Sequence, residues 1–120
     1  MTETISAAEY QNMIRINIKP LSVNEAFKGR KFRTTMYDVF QKKCMWLLPK
    51  LKVPDGRLEL VINFGFSSSG SDIDNALKQT IDTLSKKYGF NDNKIYRLIV
   101  TKEIVSKGDE YFEFELIEIK

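Results

Sequence analysis

Asp72 and Asp74 stand two apart, just ahead of a run in which Ile73, Leu77, Ile81, Leu84 and Tyr88 recur at helical spacing. Gly89 follows where a helix C-cap belongs. Helix capping is the plain reading of acidic residues at such a start, and it offers each carboxylate only ~0.3–1 kcal/mol. Two carboxylates ~5 Å apart repel by about 3 kcal/mol at an effective dielectric near 20, and by under ~1 kcal/mol in open water. If the pair is even partly buried, capping cannot offset the repulsion. A divalent cation, or a proton on one member, must then be present.

Asp74, Lys78 and Asp82 recur every four residues, so they share one face of that helix, expected opposite the Ile73/Leu77/Ile81 stripe. An exposed salt-bridge ladder would be worth ~0.2–0.5 kcal/mol per pair. Asp82 lies ~12 Å along the helix from Asp74, and two ligands of one Mg²⁺, each at ~2.1 Å, cannot be that far apart. Asp82 is therefore expected to hold Lys78 or to face solvent. Lys78, one turn from Asp74, can aim an ammonium at whatever a metal holds.

The chain contains no histidine, which excludes Ser-His-Asp and Cys-His nucleophiles, imidazole bases and HExxH zinc sites. Its one cysteine, Cys44, allows no intrachain disulfide and no multi-thiolate zinc site, and it falls on an apolar stripe as an inert thiol. Hard carboxylate ligands without His or Cys select Mg²⁺, with Mn²⁺ as substitute. Mg²⁺, carboxylates and a lysine suit phosphodiester hydrolysis: the metal activates water and stabilises the pentavalent phosphate, and the lysine assists the developing charge.

The charge is segregated. Residues 19–52 hold nine basic side chains against Glu25 and Asp38, a balance of +7 in a chain of net +3. Lys19, Lys28, Arg30, Lys31 and Arg33 are the candidate DNA contacts within it. A positive segment of this kind favours a polyanion, because each neutralised phosphate releases a counterion; a solvated basic face is the alternative. Phe27 and Phe32 flank the basic loop, either stacking on bases or anchoring the loop to the core. Trp46 reads as core or subunit interface, and Lys86, Lys87, Lys94 and Arg97 as solvated surface.

With 120 residues, 42% hydrophobic and 29% charged, the chain makes one globular domain. The first ten residues lack the basic and apolar regions of a signal peptide, and no apolar run could span a bilayer; a cytoplasmic protein is expected. Residues 1–12 read as a flexible or peripheral N-terminus. Ile14, Ile16 and Ile18 alternate as a strand ending at Pro20, and residues 20–32 have no period and read as an exposed loop. Met36, Val39, Phe40, Cys44, Leu47 and Leu48 form a helix stripe, and Leu58, Leu60, Ile62, Phe64 and Phe66 the clearest strand. After the helix carrying Asp74 come two β-rich segments, 95–105 and 111–119, joined by a hairpin turn at 106–109. The expected fold is α+β, in the order β-α-β-α-β-β, with one mixed sheet and two helices on one face.

At the acidic residues the chain resembles the RusA family of Holliday junction resolvases. The family's core is an Asp-x-Asp-Asn, a Lys four residues after the second Asp, an Asp four beyond, and a Gly-Phe-type turn into an Asp pair. Here these stand as Asp72, Asp74, Asn75, Lys78, Asp82, Gly89, Phe90 and Asp92. The likeness reaches back to Lys19-Pro20 with Asn24, and the chain's length suits a whole family member. Asn91 stands where the family often has the first Asp of the pair, and Ser71 where some members carry a basic residue.

The resemblance implies a homodimeric, Mg²⁺-dependent endonuclease that nicks four-way DNA junctions symmetrically in recombination and repair, with no nucleotide cofactor and no membrane partner. It implies Asp72, Asp74 and Asp92 as essential acidic metal ligands and Lys78 as a catalytic lysine, with Asn75 and Asp82 supporting them. Members are frequently carried by phages and prophages. Two other readings compete: a non-catalytic DNA-binding protein with a structural acidic cluster, and a nuclease acting on forks, flaps or packaging intermediates. A helix over Asn75 to Tyr88, ~20 Å long, would separate Asp72 and Asp74 from Asp92. The expectation is therefore a composite site, with Asp92 supplied by the mate in a two-fold dimer; a shorter or bent helix is the rival.

Overall fold

The computed structural model describes residues 12–29 and 32–120. Of the expected peripheral stretch 1–12 only Asn12 falls among them, and Arg30 and Lys31 lie outside the described residues. One mixed four-stranded sheet carries two long helices on one face. Its strands are β1 (Ile14–Ile16), β4 (Leu58–Phe66), β5 (Ile95–Ile104) and β6 (Tyr111–Glu118), in the spatial order β1-β6-β4-β5. β6 pairs antiparallel with both β1 and β4, whereas β4 and β5 run parallel; the hairpin expected of β5 and β6 does not form, because β4 lies between them and takes the hydrogen-bonding edge of each.

The parallel pair needs a crossover, and α3 (Leu77–Tyr88) supplies it, making a β-α-β unit. α2 (Thr35–Leu47) lies beside α3: Lys86 Nζ reaches Gln41 Oε1 at 3.4 Å and Lys87 Nζ reaches the Met45 carbonyl at 3.0 Å. Alternation decides the sheet's faces. Leu60, Ile62, Phe64 and Phe66 of β4 join Phe112, Phe114 and Ile16 in the core beneath the helices. Glu59, Val61, Asn63 and Gly65 point to the opposite face. There the Tyr111 ring packs directly over Gly65, leaving no room for a Cβ unless the ring shifts.

Segment 20–32, expected to be irregular, instead holds a helical turn α1 (Val23–Ala26) and a small hairpin, β2 (Phe27–Lys28) with β3 (Phe32–Arg33). Ser22 and Glu25 cap α1 reciprocally. Periodicity is invisible in elements this short, which explains the difference. On α2 the buried residues are Tyr37, Phe40, Gln41 and Cys44, followed by Leu48; Met36, Val39 and Leu47 of the expected stripe are exposed.

α3 differs more. Its fully buried residues are Gln79, Thr80, Thr83 and Leu84, while Ile73 is 44% exposed and Leu77, Ile81 and Tyr88 are only half-buried. A polar face can turn inward because the hydroxyls are satisfied locally. Thr80 Oγ1 donates to the Ala76 carbonyl and Thr83 Oγ1 to that of Gln79, both at 2.8 Å. Among the described residues, no helix is long and apolar enough to cross a membrane.

Candidate active site

The expected helix start at Asn75 moves to Leu77, with Ala76 as a cap residue that makes no side-chain capping bond. Asp72 and Asp74 therefore precede the helix on a turn, in which the Asn75 amide donates to the Asp72 carbonyl at 3.0 Å and the Leu77 amide to the Asp74 carbonyl at 3.1 Å. Both aspartates are exposed, and their backbones make the turn while their carboxylates stay out of it. Capping does not account for them. α3 ends as expected, with Gly89 in the left-handed region at φ 71° and its amide donating to the Ser85 carbonyl.

Two distant segments fix that turn. The Val23 amide donates to the Asn75 carbonyl at 2.9 Å. Gln79, only 1% exposed, donates through Nε2 to the Leu21 carbonyl at 2.7 Å and the Asn75 carbonyl at 3.0 Å. Lys19-Pro20 thus sits against the acidic turn, and Lys19, Ser71 and Asn75 line one small cleft with Glu110. Hydrogen bonding from Ser67 first, then from the backbone amides of Glu110 and Gly108, holds the Glu110 carboxyl below its ordinary range, with a small contribution from the Lys19 charge.

Along α3 a depression of about 290 Å³ is lined by Asp74, Leu77, Lys78, Ile81, Asp82 and Asp92. The fold thus brings Asp74, Lys78, Asp82 and Asp92 to one surface, with Asp72 on the adjoining turn. Leu77 and Ile81 share this surface with the charged residues instead of opposing them. The rotation of α3 toward its Thr80/Thr83 face puts them there.

Asp82 does not hold Lys78; half-buried, it borders the open depression and has a further partner on α2. It accepts from the Tyr37 hydroxyl of α2 at 3.4 Å, and Lys78 makes no ion pair among the described residues. Burial first, and the Asp82 charge second, push the Tyr37 hydroxyl's pKa up, so it remains a donor. Asp92 opens a 3₁₀ turn (Asp92–Lys94) before β5. Asn91 caps that turn, its Oδ1 accepting from the Asn93 amide at 3.0 Å. Amide chemistry at 91 thus serves the backbone and leaves Asp92 free.

The oxygen-only donor set suits a hard cation, and Mg²⁺ is commonly held by one or two carboxylates with waters completing the shell. Asp72 and Asp74 are exposed oxygen donors of that chemical type, two residues apart on one turn. Among the described residues, no three acidic side chains of one chain converge on a metal-sized point.

The basic candidates divide. Lys19 and Lys28 are exposed. Arg33 is engaged: its guanidinium donates to Gln41 Oε1 at 2.8 Å and Asp38 at 3.3 Å, and lies 4.1 Å from the Tyr37 ring centroid. Phe27 anchors the hairpin edge-on against Tyr37, while Phe32 is 74% exposed. Trp46 is 89% exposed, so it is not in the core of this chain. Arg97 is not merely solvated but pairs with Glu59 at 2.8 Å.

Gln79 and Tyr37 are the positioning residues that sequence reasoning missed. Gln79 sits on the helix face opposite the apparent stripe, and nothing in its local pattern marks it as buried. Comparison of the chain with models of known protein families and with curated proteins found no match.

Proposed function

We propose that the chain is a Mg²⁺-dependent, structure-specific endodeoxyribonuclease that resolves four-way DNA junctions by paired nicks, working as a homodimer. The observation that carries this reading is Asp74, exposed and unused for capping, on one surface with Lys78 and Asp92, with the exposed Asp72 two residues before it on the adjoining turn. The spacing Asp72-x-Asp74-Asn75, Lys78, Asp82 and the Gly89-Phe90 turn to Asp92 supports the same reading through its likeness to RusA-type resolvases.

Asp72 and Asp74 would hold the ion, which supplies positive charge against the phosphate when bound. Lys78, one helical turn beyond Asp74, neutralises charge developing on the phosphate oxygens. Asp82 accepts from Tyr37, and Lys78 makes no ion pair among the described residues, which leaves its ammonium for substrate. Lys19, beside the acidic turn, and Lys28 on the hairpin would contact flanking phosphates.

Asp74→Asn tests this assignment. It should abolish cleavage of a labelled four-way junction in Mg²⁺ while leaving junction affinity intact or improved, because it removes a ligand and a negative charge facing phosphates. Cleavage at near wild-type rate by this variant would remove Asp74 from the site.

A further inference from the structure

We propose that the outward face of α2, with the apolar groove beside its first turns, docks a short acidic segment of a partner protein, whose large apolar side chains fill the groove and cover Trp46. The inference goes beyond the nuclease reading and does not depend on it.

α2 buries Tyr37, Phe40, Gln41 and Cys44, and it meets α3 through Gln41 and Met45. At 3.6 residues per turn, Met36, Val39, Lys43, Trp46 and Leu47 fall within ~100° of one another on its outward side. All five are exposed, Trp46 almost wholly so. Apolar residues scattered singly on a surface need no explanation, but a contiguous patch of them rimmed by charge marks a binding surface.

A groove of about 320 Å³ continues the stripe sideways. Met36, Val39 and Lys43 line one side of it and Ile18, Pro20 and Leu21 the other. Met36 and Trp46 are ~15 Å apart along the helix axis, so about ten helical residues, or about five extended ones, reach from the groove to the indole.

Charge selects the occupant. Lys42, Lys43, Lys50 and Lys52 are exposed on and just beyond α2. The helix's one acid, Asp38, is paired with Arg33 at 3.3 Å. Glu25, at the groove, is held by Ser22, whose Oγ donates to it at 2.9 Å. The charge left over is positive, and an acidic segment complements it. A second copy of this face would set lysines against lysines. Nucleic acid would find phosphate partners here, but the aliphatic groove offers nothing that reads a base edge. A bilayer surface is flat, whereas the groove is concave. Trp46 supplies the large, exposed anchor typical of an interface centre.

Peptides of random sequence, about twelve residues long to span that distance, are displayed on phage and selected against the whole chain. The binders should be rich in Asp and Glu and carry large apolar residues. Trp46 is the only tryptophan in the chain, so its emission reports on this face directly. The most enriched peptide, synthesised and labelled, should move that emission to shorter wavelength. By anisotropy it should bind about tenfold tighter than its own scramble. Trp46→Ala should weaken it by about thirtyfold and Lys43→Glu by about tenfold. Both side chains are exposed, and circular dichroism checks folding; if one variant unfolds, the other carries the test.

No binders above background, neutral or basic binders, or binding indifferent to both substitutions would overturn the proposal. Three titrations without peptide test the other occupants: phosphatidylglycerol vesicles, a single-stranded oligonucleotide, and the protein alone over a concentration series. None should move Trp46 emission. A shift in one of them that Lys43→Glu abolishes would overturn the proposal and assign the face to a membrane, to nucleic acid or to a second copy.

Discussion

Gln79, in the middle of α3's buried face, donates a 2.7 Å hydrogen bond to the carbonyl of Leu21, 58 residues earlier in the chain. Its second bond, to Asn75, ties the same side chain to the acidic turn. Gln79→Leu leaves two carbonyls without that donor and should cost about 1–3 kcal/mol of stability. Because it loosens the turn holding Asp72 and Asp74, it should also lower kcat on a junction more than it raises KM. Denaturant melts and steady-state cleavage measure the two effects. A stability loss with unchanged kcat would mean that the clamp does not position the site.

The strands were legible because alternation is a two-residue signal: Leu58 to Phe66 reads as a strand and is one. The acidic turn and Lys78 were legible because charged residues at fixed spacing survive any rotation of the helix. The rotation itself was not. Of the hydrophobic stripe, Leu84 is buried and Leu77, Ile81 and Tyr88 pack against the core's margin while Ile73 is exposed; Thr80 and Thr83 satisfy their hydroxyls on their own helix and share the buried face. The role of Asp82 depended on a neighbour, Tyr37, 45 residues away. Long-range partners of that kind leave no local pattern.

The basic hairpin gives a salt-dependence prediction. Changing Lys28, Arg30 and Lys31 together to Ala should weaken junction binding. It should also flatten the slope of log K against log salt by about 0.9 for each phosphate that is no longer neutralised. Arg33→Ala should change that slope less, since its guanidinium is already engaged by Gln41 and Asp38. Fluorescence anisotropy over a salt series measures both. An unchanged slope in the triple variant would place the hairpin away from DNA.

Burial pushes the Cys44 thiol up from its ordinary 9.0 to about 12. Above pH 9 the unfolded chain releases this proton while the folded chain keeps it, so stability falls as pH rises, through a window from 9 to about 12. By pH 10 the thiol's share of that loss is roughly 1 kcal/mol relative to pH 7. Tyr37 and Tyr88, also shifted upward by burial, add to the fall above pH 10. Cys44→Ala should flatten the decline between pH 8 and 10 when denaturant midpoints are compared. Parallel curves for the two proteins would contradict a thiol sealed in the core.

Cleavage of branched DNA at a carboxylate site is open to one decisive assay. A four-way junction, a fork and a linear duplex, each end-labelled, are incubated with the protein in Mg²⁺ and in EDTA. The expected products are Mg²⁺-dependent nicks placed symmetrically across the junction, with weaker cutting of the fork and none of the duplex. No Mg²⁺-dependent product, or a duplex cut as readily as the junction, would contradict the proposed function.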